Sequence, residues 1–190
     1  MKRLALPILA AAVALAAGPA FAHPGHGPHA GLLAGFGHPF TGLDHVLGMT
    51  AVGLWAGIVG GRARWLWPAA FVVCMLAGFG LGTIDGAPPE LAWAIAATIM
   101  ALGAALLFEV RLPAMAGMAL ASLFGLAHGY AHGKDLPSDA ATLSYAAGFT
   151  LATAALLGGG LWLSQGVGRP WRRLAGAALA VCGTALLLTS

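Results

Sequence analysis

Read by hydropathy, the chain alternates between long apolar runs and short polar breaks. The runs cover Thr41 to Gly60, Trp65 to Ile84, Leu91 to Phe108, Pro113 to His132, Ala140 to Leu163 and Leu174 to Leu188. Most approach the roughly 20 residues a helix needs to cross a bilayer. A shorter apolar piece, Ala30 to Phe36, cannot span and stops at Gly37 and Pro39, so it reads as a half-helix or re-entrant segment. Thr41-Gly42-Leu43-Asp44 has the form of a capping box opening the first full span. The expected fold is all-α and polytopic: six transmembrane helices after a cleaved signal peptide, with a half-helix before the first span.

Met1 to Ala22 has the layout of that signal peptide: Lys2 and Arg3, then an apolar core, then Ala20-Phe21-Ala22 as a small-x-small cleavage site. The chain therefore divides into residues 1–22 as signal, 23–40 as a His-rich extracytoplasmic tail with the half-helix, and 41–190 as the six-helix domain. Cleavage would leave His23 at the N-terminus, where its imidazole and the free α-amino group form a bidentate chelate. Pro24 has no backbone N–H, which excludes chelation through a deprotonated second amide. His23, His26 and His29 read equally as a metal-collecting tail and as a plain linker.

Composition agrees with a membrane protein. The 190 residues are 59% hydrophobic and only 8% charged, against about 25% charged in soluble domains. The Lys and Arg residues stand singly or in pairs between apolar runs and form no phosphate-binding face, so nucleic acid is not an expected partner. Their placement sets an orientation instead. Arg62, Arg64, Arg111, Arg169, Arg172 and Arg173 fall in loops on one side, and of the loop bases only Lys134 falls on the other. By the positive-inside rule the arginine side is cytoplasmic, both termini are extracytoplasmic, and the setting is a bacterial inner membrane. Trp65, Trp67, Trp93, Trp162 and Trp171 near span ends suggest an interfacial belt. Cys74 and Cys182 read as buried free thiols, and the methionines as core packing without a thioether ladder.

Against this background the ionisable residues within the spans are conspicuous, because they are costly at membrane depth. His38, Asp44 and His45 lie at the break before the first span, and His128 and His132 near the end of the fourth. The topology puts all seven histidines on the extracytoplasmic side. His128 and His132 are four apart, on one helix face one turn apart, a spacing that lets two imidazoles bind one ion. No Glu follows His128, so a metalloprotease would lack its general base. Taken singly, each histidine is better explained by helix packing than by metal binding. Together, His38, Asp44, His45, His128 and His132 make a mixed nitrogen and oxygen shell suited to Ni, Co, Zn or Cu. Asp44 has a competing role as capping-box acid. Neutral imidazole is the binding form, so affinity is expected to fall below about pH 6.5.

At these residues the chain resembles the HupE/UreJ family of nickel/cobalt permeases. The family pattern His-Pro-x-x-Gly-x-Asp-His is matched from His38 to His45, and His-Gly-x-Ala-His-Gly from His128 to Gly133. The Glu that closes the second pattern is replaced by Asp135, which keeps the charge on a shorter side chain and is the weakest candidate ligand. Leu126-Ala127 stands where many members have Phe-His. The resemblance implies secondary transport of Ni²⁺ or Co²⁺, with the ion as cargo, no tightly bound cofactor and no catalytic residues. The partners expected are a divalent metal ion and the lipid bilayer, with homo-oligomerisation left open. Two other classes fit the residues: an integral membrane metal- or haem-binding enzyme, and a metal-sensing accessory protein.

Overall fold

The computed structural model describes residues 28–84, 90–134, 136 and 141–189. His23, His26, Asp85, Asp135, Asp139 and the proposed signal segment lie outside them. The elements are α1 (Pro28–Gly37), a 3-10 turn (His38–Phe40), α2 (Leu43–Val59), α3 (Ala63–Gly82), α4 (Glu90–Leu107), α5 (Ala114–Lys134), α6 (Thr142–Gly166) and α7 (Arg169–Thr189). The described residues contain no strand. Helices α3 to α7 are each long and apolar enough to cross a membrane. The half-helix and α2 pass the same test together, bent by 80° at their break, which makes five such helices or six spans with the bent pair as one.

The bend arises from the residues between the two pieces. Pro39 sits in the 3-10 turn, and Gly42 is extended at φ −112° and ψ 123° as the N-cap of α2. The expected capping box does not form. Thr41 remains in the preceding turn and donates its hydroxyl to the His38 carbonyl at 2.7 Å. Helix α2 starts one residue late for Thr41 to cap it, and no side chain caps its N-terminus. Asp44 is thereby released from the capping role that competed with metal binding.

Lipid tails are as apolar as leucine, so helices in a membrane associate through close packing and not through water exclusion. Here that packing runs through glycine. On α5, a methyl group at Gly125, Gly129 or Gly133 would collide with the carbonyls of Phe71, Met75 or Phe79 on α3. Gly78 and Gly82 of α3 meet the Leu126 and Tyr130 carbonyls in return. Similar contacts join α1 to α6 (Gly35, Gly148), α2 to α6 (Gly53, Gly160) and α4 to α7 (Gly103, Gly176). The side chains between these seams, among them Met49, Trp67, Phe71, Met75 and Phe149, are fully buried.

Two local expectations change. Trp65, Trp93, Trp162 and Trp171 are exposed as a belt requires, but Trp67 is 0% exposed. Its indole N–H donates to the Ala114 carbonyl at 2.8 Å, and its ring lies 4.7 Å from that of Trp55, which donates to the Val110 carbonyl at 2.9 Å. Satisfying each indole N–H internally removes the reason for Trp67 to seek an interface. The two cysteines are free and half-buried.

The last helix starts at Arg169 and not at Leu174, because its three arginines find partners there. Arg172 donates to the Ser164 and Val167 carbonyls and Arg173 to the Leu107 carbonyl, so the cations meet the C-terminal ends of α6 and α4. Arg169 Nε reaches both Glu109 carboxylate oxygens, at 2.7 and 2.8 Å. Glu109 occupies the left-handed position (φ 52°) after α4, usually taken by glycine. The hydrogen bonds Glu109 N–H to Leu106 and Val110 N–H to Ala105 complete a Schellman cap. The Arg169 hydrogen bond holds the Glu109 carboxyl below the usual carboxylate range. The pairing is thus complete at neutral pH and is lost only as pH falls through that lowered value.

Gly129→Ala is expected to cost on the order of 1–3 kcal/mol by overpacking the α3–α5 seam. Gly80→Ala, where the added carbon meets nothing within 4 Å, should leave stability unchanged or slightly higher. Thermal unfolding of the two purified variants in detergent is the measurement, and equal losses would contradict the seam.

Candidate metal site

The bend before α2 turns His38 back over the bundle, and the first turn of α2 carries Asp44 and His45. The last turns of α5 bring His128 and His132 to the same end. His132 is the hub. Its ring centroid lies 4.2 Å from that of His45 and 4.8 Å from that of His38, and the His38 and His45 rings are 6.2 Å apart. One nitrogen of each of these three imidazoles lies within 4.8 Å of those of the other two. Nitrogens bound to one ion at about 2.1 Å sit within roughly 4 Å of each other, so small side-chain rotations suffice to close the group on a metal.

The surroundings are dry on one side and open on the other. His132 is 0% exposed, packs 4.1 Å from the Phe149 ring, and has no hydrogen-bond partner on either nitrogen. A neutral imidazole carries one donor and one acceptor. Leaving buried polar groups unpaired costs about 1–3 kcal/mol each, a cost a bound cation would offset at the acceptor nitrogen. His38 and His45 are half-buried, with His38 5.9 Å from the buried Tyr145 ring. The Asp44 and His45 side chains are 29% and 15% exposed, so this side of the cluster reaches the protein surface.

Asp44 Oδ2 lies 3.3 Å from His45 Nδ1. The contact is not aligned as a hydrogen bond, since Nδ1 otherwise has no partner, and it acts as a charge beside the ring. A negative charge beside the ring favours a cation near His45. The geometry also explains Gly42 physically. A Cβ there would sit 2.6 Å from Asp44 Oδ1 and 2.8 Å from His45 Cδ2, so a larger residue would push both side chains away.

His128 is close to this group but is not part of it. It lies one helical turn below His132, its ring 6.1 Å from that of His45. Its Nδ1 is paired with the Phe124 carbonyl at 2.8 Å. The five predicted residues thus resolve into three converging imidazoles, one carboxylate beside His45, and one deeper imidazole. His29 begins helix α1, and nothing of its side chain is described. Sequence reasoning missed Tyr145 and Phe149, the aromatic wall. No local pattern distinguishes them from ordinary packing residues. It also missed Gly48, three residues after His45 and therefore on the same helix face.

Fold and site together define a multi-pass helical membrane protein with a cluster of imidazoles at one end of the bundle. The sequence profile of the family described as "HupE / UreJ protein" matches residues 11–186. "Protein HupE" of Rhizobium leguminosarum bv. viciae is 42% identical over 193 residues, covering 99% of this chain and all of that protein. The chain belongs to the HupE/UreJ family. No solved structure matches it.

His132→Ala and His45→Ala are each expected to weaken Co²⁺ binding to the purified protein at least tenfold. Asp44→Asn should weaken it several-fold, by removing the negative charge beside His45. Titration followed by the visible absorption of Co²⁺ measures all three. Wild-type affinity in His132→Ala would contradict the cluster.

Proposed function

We propose that this protein is a secondary transporter that imports a divalent transition metal, Ni²⁺ or Co²⁺, across the bacterial inner membrane. Membership of the HupE/UreJ family makes it a membrane protein associated with nickel/cobalt transport. The observation that carries the finer reading is the buried, unpartnered His132 with two further imidazoles within ligand distance. His128 differs in having one nitrogen, Nδ1, paired with the Phe124 carbonyl.

In this reading the arginine-rich end faces the cytoplasm and the histidine end faces outside. The ion sheds water at the mouth, exchanging it for His38, His45 and His132, with Asp44 compensating charge. The membrane potential favours inward movement of a divalent cation by about 2.3 kcal/mol per charge per 100 mV. No nucleotide-binding motif occurs in the sequence, and an ion gradient or the potential supplies the energy. The metal is cargo, and the protein acts as a carrier and not as an enzyme. The signal segment 1–22 would be removed, and His23, His26 and His29 would gather metal outside.

Uptake of radioactive nickel and cobalt by cells tests the proposal. Wild type should accumulate metal, and His45→Ala and His132→Ala should each reduce the initial rate at least tenfold. Metal bound tightly to purified protein without any uptake would favour an enzyme or sensor instead. Changing His23, His26 and His29 together should lower uptake only when metal is limiting; equal uptake at limiting metal would leave the tail a linker.

A further inference from the structure

Helices α4 and α5 follow one another in the chain, yet each packs closely against a different neighbour. Gly103 and Gly176 seat α4 on α7, while Gly125, Gly129 and Gly133 seat α5 on α3. No glycine of α4 or α5 meets the other helix. Between the two, at the arginine end of the bundle, lies a cavity of about 380 Å³. Ala104 and Ala105 of α4 line it on one side and Leu120 and Phe124 of α5 on the other, with Trp55 of α2 among them. Every lining residue is apolar. The indole N–H of Trp55 is already taken by the Val110 carbonyl, so it offers nothing to a polar ligand. Such a lining suits hydrocarbon and gives water or an ion no partner.

The position of the cavity matches one leaflet of a bilayer. Ala101 and Phe108, both in its lining, are two helical turns apart, about 10 Å along α4. Half of a hydrocarbon core is about 15 Å deep. The cavity thus runs from the end of the bundle into the leaflet, parallel to the helices and to the lipid chains beside them.

Its mouth is basic. Val110 and Leu112 belong to the lining, and Arg111 stands between them in the chain, exposed and in no ion pair among the described residues. Arg173 reaches the Leu107 carbonyl, one residue before the lining Phe108. Glu109 is the only acid at this end among the described residues, and Arg169 engages both of its oxygens. A second copy docked here about a two-fold axis would bring these arginines toward their own counterparts. Like charges so placed disfavour association, whereas an anionic lipid headgroup complements them.

We propose that the α4–α5 cavity holds an acyl chain of an anionic phospholipid from the leaflet at the arginine end, with Arg111 and Arg173 at its headgroup. Basic pockets between membrane helices recognise anionic headgroups in this way. The lipid fills the gap that α4 and α5 leave by packing on other partners. The inference is independent of the transport reading and needs only that the helices span a bilayer.

Full-length protein in mild detergent is titrated with phosphatidylglycerol and with phosphatidylcholine of the same chains, and bound lipid is counted by native mass spectrometry. Wild type should hold one phosphatidylglycerol per chain about fivefold or more tighter than phosphatidylcholine. Arg111→Gln should lower phosphatidylglycerol affinity about fivefold and leave phosphatidylcholine unchanged. Ala104→Phe, which fills the cavity, should weaken both lipids at least about fivefold, with thermal unfolding showing that the variant is folded. Arg111→Gln decides the matter should Ala104→Phe fail to fold. Equal affinity of wild type for the two lipids would overturn the proposal, as would unchanged phosphatidylglycerol binding in Arg111→Gln. Unchanged binding of both lipids by folded Ala104→Phe would also overturn it. A wild-type dimer that becomes monomeric in Ala104→Phe would assign the cavity to a second copy instead.

Discussion

The contact of α3 and α5 along Gly125, Gly129 and Gly133 is the constraint from which the site follows. Backbone meets backbone there, so the register of the two helices is set by carbonyls that no side chain separates. His128 and His132 each sit one residue before a glycine of this stripe and are held just beside the seam. A methyl group on any of the three glycines would move both imidazoles along with the helix. In a bilayer, where apolar burial gives helices little reason to associate, such close approach also supplies much of the association energy.

A similar device repeats around the bundle, with different consequences. Gly35 and Gly148 draw the half-helix α1 against α6, which brings His38 over Tyr145 and toward His132. Gly53 and Gly160 set α2 against α6 and so place His45. The three imidazoles come from three separate segments, each positioned by glycine packing and not by contacts among the histidines themselves. The three rings are thus held together by helix packing, with both nitrogens of His132 unpaired in a buried setting.

The two ends of the bundle are chemically opposite. One carries imidazoles and a partly exposed carboxylate. The other carries the Trp55–Trp67 pair and is tied by arginines to the ends of α4 and α6. Glu109 accepts a left-handed backbone there, and its carboxylate is the partner Arg169 uses.

Much of this could be read from the chain. Apolar runs identify the helices because hydropathy is local and sums along a segment, and the His-Pro-x-x-Gly-x-Asp-His and His-Gly-x-Ala-His-Gly patterns point to the metal and the family. Boundaries failed where a tertiary partner overruled the local signal: Arg169, Arg172 and Arg173 entered a helix because carbonyls and Glu109 received them, and Trp67 left the interface for the Ala114 carbonyl. The capping box failed because the turn before α2 took the Thr41 hydroxyl. The sequence by itself determined the class of protein, its helical runs and which residues are candidates to bind a metal. Only the tertiary structure decided that His38, His45 and His132 converge, that the Asp44 carboxylate lies beside His45, and that His128 faces Gly48 one turn deeper. Coordination depends on distances of a few ångströms between residues far apart in the chain, and those distances are set by helix seams that hydropathy does not encode.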